Sequence, residues 1–118
     1  MATVLTQVGE EWIVDMLDGG TVGTQYIGWG TGAGTAGKSD TTLFTEASEA
    51  RVSATRSQPV ADKIRYVGTL TADGAKTITN GGVLTALTGG ILVIHGDFSG
   101  IPLQQNDQIQ FTIDMEIT

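Results

Sequence analysis

The chain ends in strict alternation: Ile109, Phe111, Ile113, Met115 and Ile117 are separated by Gln110, Thr112, Asp114 and Glu116. A period of two sends one side of a strand into a core and the other into water, as in an antiparallel sheet. Three earlier segments carry related signals. In KIRYVGTLTA, Ile64, Tyr66 and Leu70 share a side. In KTITNGGVL the Gly81–Gly82 pair predicts a bulge or bend. ILVIHG, residues 91–96, follows a TALTGG stretch with hairpin-turn chemistry and ends in a His-Gly break. Residues 50–57 predict a weaker strand, with Arg51, Ser53 and Thr55 toward solvent.

Only one segment has a helical period. Val8, Trp12, Ile13, Met16 and Leu17 fall on one face of a 3.6-residue repeat, with Glu10 and Glu11 near its start and Gly19–Gly20 as its stop. So short a helix is marginal alone and must dock on something. Its apolar face either closes one end of the domain core or meets a partner subunit. Short strands punctuated by Gly, Asn and Asp imply an all-β sandwich or barrel with one short N-terminal helix. The expected division is an N-terminal arm over residues 1–22 and an antiparallel β domain over residues 23–118.

One motif argues for a different fold. Gly32, Gly37, Lys38 and Ser39 satisfy the phosphate-loop consensus G-x-x-x-x-G-K-[ST]. That loop works only between a buried parallel strand and a helix whose N-terminus faces the phosphates. Here the upstream strand, residues 26–29, is short and interrupted by Gly28. The downstream SDTTLFTEASEARV has no sustained apolar stripe, and strand–helix alternation is missing. Asp97, the best second Mg²⁺ ligand, stands beyond the His-Gly break. The expected reading is a small-residue loop, with no cofactor.

Composition narrows the classes further. A length of 118 residues suits one domain, and the absence of cysteine excludes a disulfide framework and thiolate chemistry. No segment approaches the length of a membrane span, and the N-terminus lacks a secretory design, so no membrane association is expected. The net charge is −7, and the bases Lys38, Arg51, Arg56, Lys63, Arg65 and Lys76 are scattered, so nucleic acid is a poor partner. A single histidine, His95, at the end of an apolar strand, is expected to be structural. Asp97, Asp107 and Asp114 are conceivable Ca²⁺ ligands, but no calcium-loop pattern accompanies them, and no metal site is expected. No pair among the acids is marked for catalysis, and no enzyme is expected. Arg51 and Arg65 are candidates to pair with Glu46 or Glu49. Trp29, inside the glycine-rich run, either plugs the core or anchors an interface.

The strings YIGWGTGAGTAGKSDTTLFTEASEARV, IRYVGTLTADGAKTITNGGVL and TGGILVIHGDFSGIPLQQNDQIQFTI, in that order, resemble structural proteins of tailed bacteriophages over residues 26–113. The resemblance implies a β-sandwich, jelly-roll-like virion component. Within that class it implies a capsid decoration (cement) protein, made in the host bacterial cytoplasm and carried on the capsid surface. Its implied partners are the major capsid protein and copies of itself in a homotrimer. The alternative is a tail-fibre or receptor-binding module for a surface glycan, which calls for clustered exposed aromatics. A cement protein needs a rigid core and extended elements that reach its neighbours. The 32–39 loop and the first 17 residues are the candidates, with Trp12, Met16, Trp29, Gly32, Gly37 and Lys38 as expected interface residues. The glycine-rich loop is expected to become ordered only against a partner.

Overall fold

In the computed structural model, which describes residues 2–117, the first strand β1 (Ala2–Leu5) leads directly into the helix α1 (Gln7–Leu17). The remaining strands are β2 (Tyr26–Gly30), β3 (Val52–Ser53), β4 (Thr55–Val60), β5 (Lys63–Thr71), β6 (Lys76–Leu84), β7 (Leu92–Leu103) and β8 (Gln108–Glu116). Met1 and Thr118, the outer ends of the two expected segments, lie outside the described residues. The strands form two sheets, β1-β7-β6-β2-β3 and β4-β5-β8, in which every pairing is antiparallel. The architecture is the expected two-sheet antiparallel sandwich with one short helix. Only Ala54 separates β3 from β4, so the chain crosses there from one sheet to the other.

The C-terminal alternation reads as written. Phe111, Ile113 and Met115 are buried, whereas Gln110 and Thr112 are exposed. On the paired strand β5, Tyr66, Gly68 and Leu70 turn the same way, with Tyr66 opposite Ile113 and Gly68 opposite Phe111. These inner faces meet Ile27, Trp29, Val83 and Ile94 of the larger sheet. Gly81 admits the Phe111 ring: a Cβ at that position would stand 2.9 Å from it.

Three expectations change. The first residues are not a free arm, because β1 pairs with β7 from Ala2↔Asp97 to Leu5↔Ile94. The aliphatic strand does not stop at His95-Gly96 but continues to Leu103, because both residues remain paired with β6. Gly81 and Gly82 themselves keep register, and the irregularities fall on either side of them, between Ile78 and Asn80 and between Val83 and Leu84.

The second irregularity seats the helix. Val83 pairs with Ile94 and Leu84 with Leu92, which leaves Val93 as an extra residue in β7. Thr6 docks at this bulge, its N–H donating to the Val93 carbonyl at 3.0 Å and its hydroxyl to the Leu92 carbonyl at 2.5 Å. The same hydroxyl accepts from the Gly9 N–H at 3.0 Å and so caps α1. Gly9 is the buried residue of the helix, and a Cβ there would lie 2.5 Å from the Val93 oxygen. The helix backbone therefore rests directly on β7.

Candidate functional site

The structure separates the residues that the sequence grouped. Trp29 is fully buried, its ring edge-on to Phe111 at a centroid distance of 6.4 Å. Its indole N–H donates to Glu49 at 2.9 Å. Trp29 is thus a core residue, and its place among the interface residues is corrected: within the chain it has no surface to offer.

Gly32, Gly37 and Lys38 lie on the long segment between β2 and β3, which covers the face of the larger sheet turned away from the main core. A small second cluster, Leu43 with Leu84 and Leu92, sits beneath that segment. This loop makes several bonds within the chain. The Ala36 N–H donates to Asp97 at 2.8 Å, and the Gly37 N–H to Asp40 at 2.7 Å. The Lys38 carbonyl accepts from Gln7 at 2.8 Å, and the Gly32 carbonyl accepts from the Thr79 hydroxyl. No helix follows Ser39, and the Lys38 ammonium pairs with Glu10 of α1 at 2.6 Å. Neither half of the phosphate-loop context is present.

Two polar clusters hold this segment, and neither was legible as a unit in the sequence. In the first, Asn80 is fully buried and reads the Phe44 main chain with both ends of its amide. Its oxygen accepts from the Phe44 N–H and its nitrogen donates to the Phe44 carbonyl, both at 3.0 Å. The Asn80 oxygen also lies 3.0 Å from His95 Nε2, and His95 Nδ1 lies 2.7 Å from Asp40. The Phe44 ring closes over the imidazole at 4.5 Å. His95 is fully buried, and both its ring nitrogens have partners within the chain.

The second cluster joins Glu49, Lys76 and Asp73. Lys76 pairs with Glu49 and, at 2.8 Å, with Asp73. Burial is the largest single influence on the Glu49 carboxyl and pushes it up. Bonds from Lys76, the Asp73 N–H and the Trp29 indole together outweigh it and hold the group below its ordinary value. Asp73 is held low chiefly by Lys76 and then by Ser48. Asp114 is held low by its hydrogen bonds from Arg65, against which burial works the other way. Groups whose folded values lie below the ordinary 4.5 and 3.8 stabilise the fold above those values and lose that contribution as pH falls through the folded ones. The urea midpoint is therefore expected to drop on acidification below about pH 4. In Lys76→Met, where Glu49 and Asp73 lose their partner, a smaller drop is expected over the same range.

Arg51 pairs with Glu46 through two bonds, at 2.7 and 2.8 Å, as one of the expected alternatives, whereas Arg65 pairs with Asp114 at 2.8 Å. The three candidate calcium ligands do not converge: Asp97 binds the loop, Asp107 accepts from the Gln104 N–H, and Asp114 binds Arg65. Among the described residues no group of three His or carboxylate side chains is placed to hold a metal, and every buried side-chain polar atom has a partner. The aromatics do not form an exposed platform either, since Trp29 and Tyr66 are buried and Phe44 packs on His95.

One open concavity is apolar. Trp12, Ile13 and Met16 of α1 and Ile64, Tyr66 and Met115 of the smaller sheet line a groove of about 370 Å³, together with Leu17, Val22 and Arg56. Trp12 and Ile13 pack against the core. The next turn does not complete the packing, leaving Leu17 83% and Val22 44% exposed. One end of the helix stripe thus closes the core, and the other lines an open surface. Of the expected interface residues, Trp12 and Met16 come together here. Comparison with protein-family models, curated protein sequences and solved structures finds no match.

Proposed function

We propose that this chain is a structural virion protein of a tailed bacteriophage, a capsid decoration protein that adheres to the assembled head and bridges its subunits. The resemblance over residues 26–113 supports the phage assignment. The observation that carries the adhesive role is the exposed apolar surface at the end of α1, where Leu17, 83% exposed, and Val22, 44% exposed, line an apolar groove. Contiguous apolar exposure of this kind marks docking surfaces on folded proteins. The buried side-chain polar groups of the described residues are, by contrast, all bonded within the chain, which suits a rigid module. A ligand that binds only the assembled shell stabilises it by mass action, so a decoration protein needs affinity and rigidity rather than chemistry.

Virions of the phage or prophage that encodes the chain, labelled with an antibody to it, are expected to carry label across the head. Label confined to the tail would favour the receptor-binding alternative, and unlabelled particles would remove the virion assignment.

A further inference from the structure

We propose that the free edge of β8 pairs antiparallel with β8 of a second copy of the chain, about a two-fold axis at Thr112. The contact uses a strand edge rather than the groove at α1, and it is independent of the function proposed above.

β8 is an outermost strand of the smaller sheet, bonded on one side to β5. The bonds that flank this ladder, from the Ala72 N–H to the Asp107 carbonyl and from the Ile117 N–H to the Asp62 carbonyl, share its register and fix its phase. Hydrogen-bonded pairs alternate in an antiparallel ladder, so Ile109, Phe111, Ile113 and Met115 turn their main-chain groups to β5. Gln108, Gln110, Thr112, Asp114 and Glu116 turn theirs outward, and among the described residues no main-chain bond reaches them from outside the ladder.

Exposed edges invite strand addition, and folded proteins blunt them. The other outermost strands are blunted: β1 has four residues, β3 two, and β4 carries Pro59 within a break of register. The part of β7 that runs past β1 contains Pro102. β8 has nine residues, no proline and no register break. Phe98 and Ile101 of β7 and residues 109–112 line an open hollow of about 440 Å³. Both faces of β8 border this hollow, which places it at the free edge.

The sequence of β8 favours its own copy as the occupant. Asp114 and Glu116 stand in its second half, and Gln108 and Gln110 in its first. Pairing about Thr112 brings the whole strand into register and sets Gln108 opposite Glu116 and Gln110 opposite Asp114, so no acid faces an acid. Outward-facing residues meet outward-facing residues, as the ladder requires. The acids are also balanced within the chain: Arg65 holds Asp114 at 2.8 Å, and Lys63 lies 3.9 Å from both Asp114 and Glu116. The net charge of −7 therefore bears little on this edge. Two-fold pairing closes at two copies and makes one continuous sheet, β4-β5-β8-β8-β5-β4.

Sedimentation equilibrium of the purified full chain tests the pairing without any capsid component. A monomer–dimer equilibrium in the micromolar to millimolar range is expected, as suits a contact of one strand pair. Hydrogen exchange at the Gln110, Thr112 and Asp114 amides is expected to slow with concentration, while the Phe111 and Ile113 amides stay protected throughout. Thr112→Pro removes an outward N–H and no ladder bond, and is expected to weaken the dimer at least about tenfold. Gln110→Asp sets acid against acid and is expected to weaken it about fivefold, whereas Gln110→Lys strengthens it. Retained protection at Phe111 and Ile113 shows that each variant is folded. A chain monomeric at millimolar concentration, a trimer such as the resemblance implies, or a dimer unchanged in Thr112→Pro or Gln110→Asp overturns the proposal. Binding to phage heads takes no part in the measurement and stands or falls separately.

Discussion

Trp29→Ala is expected to lower the unfolding free energy by about 3–5 kcal/mol, the range for removing a large aromatic from a core. The indole is fully buried and is packed edge-on against Phe111. It also donates to Glu49, which in turn holds Lys76 and the Asp73 N–H. Removing the ring therefore opens a cavity between the sheets and leaves a largely buried carboxylate one donor short. Urea unfolding measures the loss directly. Trp29→Phe, which keeps a ring in the cavity but no donor, is expected to fall between the wild type and the alanine variant. A loss below about 1 kcal/mol in Trp29→Ala would place the residue outside the core.

Asn80→Ala is expected to cost about 3 kcal/mol or more, and for a different reason. The amide bonds both the N–H and the carbonyl of Phe44, and it also faces His95. Its loss leaves the Phe44 N–H and the facing His95 nitrogen without a partner, each worth about 1–3 kcal/mol when left unpaired, while the Phe44 carbonyl keeps the Gly32 N–H. Hydrogen exchange is expected to locate the damage, with the Phe44 amide losing protection while the β5–β8 ladder keeps it. Lys38→Ala is the contrast. Its ammonium is 60% exposed and its partner Glu10 44%, and such a pair contributes about 0–1 kcal/mol. A lysine made prominent by a motif is thus expected to matter less to the fold than an asparagine that no motif marks.

The strands and the helix were legible because their signals are local. Alternation in β5 and β8 needs only the side-chain period, and α1 only its apolar stripe and glycine stop. The edge strand β1 was not legible, because four residues carry no period and their partners lie at the far end of the chain, from Ala2↔Asp97 to Leu5↔Ile94. The bulge at Val93 was invisible for a related reason: it exists to receive Thr6, a contact spanning 86 to 87 residues. The phosphate-loop match shows the opposite failure, a local string without its context. At the candidate site, Trp12 and Met16 were readable as the apolar stripe of a helix. That the stripe outruns its seat at Leu17 depends on where the smaller sheet ends, which no residue on the helix encodes. The Asn80–His95–Asp40 cluster joins three elements, and its one sequence signal was a lone histidine beside a strand of aliphatics.

On the function proposed above, this β module adheres to an assembled phage head through the open end of α1. Co-sedimentation of the purified chain with assembled heads and, separately, with unassembled capsid protein tests it most directly. Saturable binding to heads, weak binding to the unassembled protein, and loss of at least about tenfold in affinity for Leu17→Asp are expected, a loss equivalent to about 1.4 kcal/mol. A chain that stays in the supernatant with heads, or a Leu17→Asp variant that binds them as well as the wild type, would contradict the account.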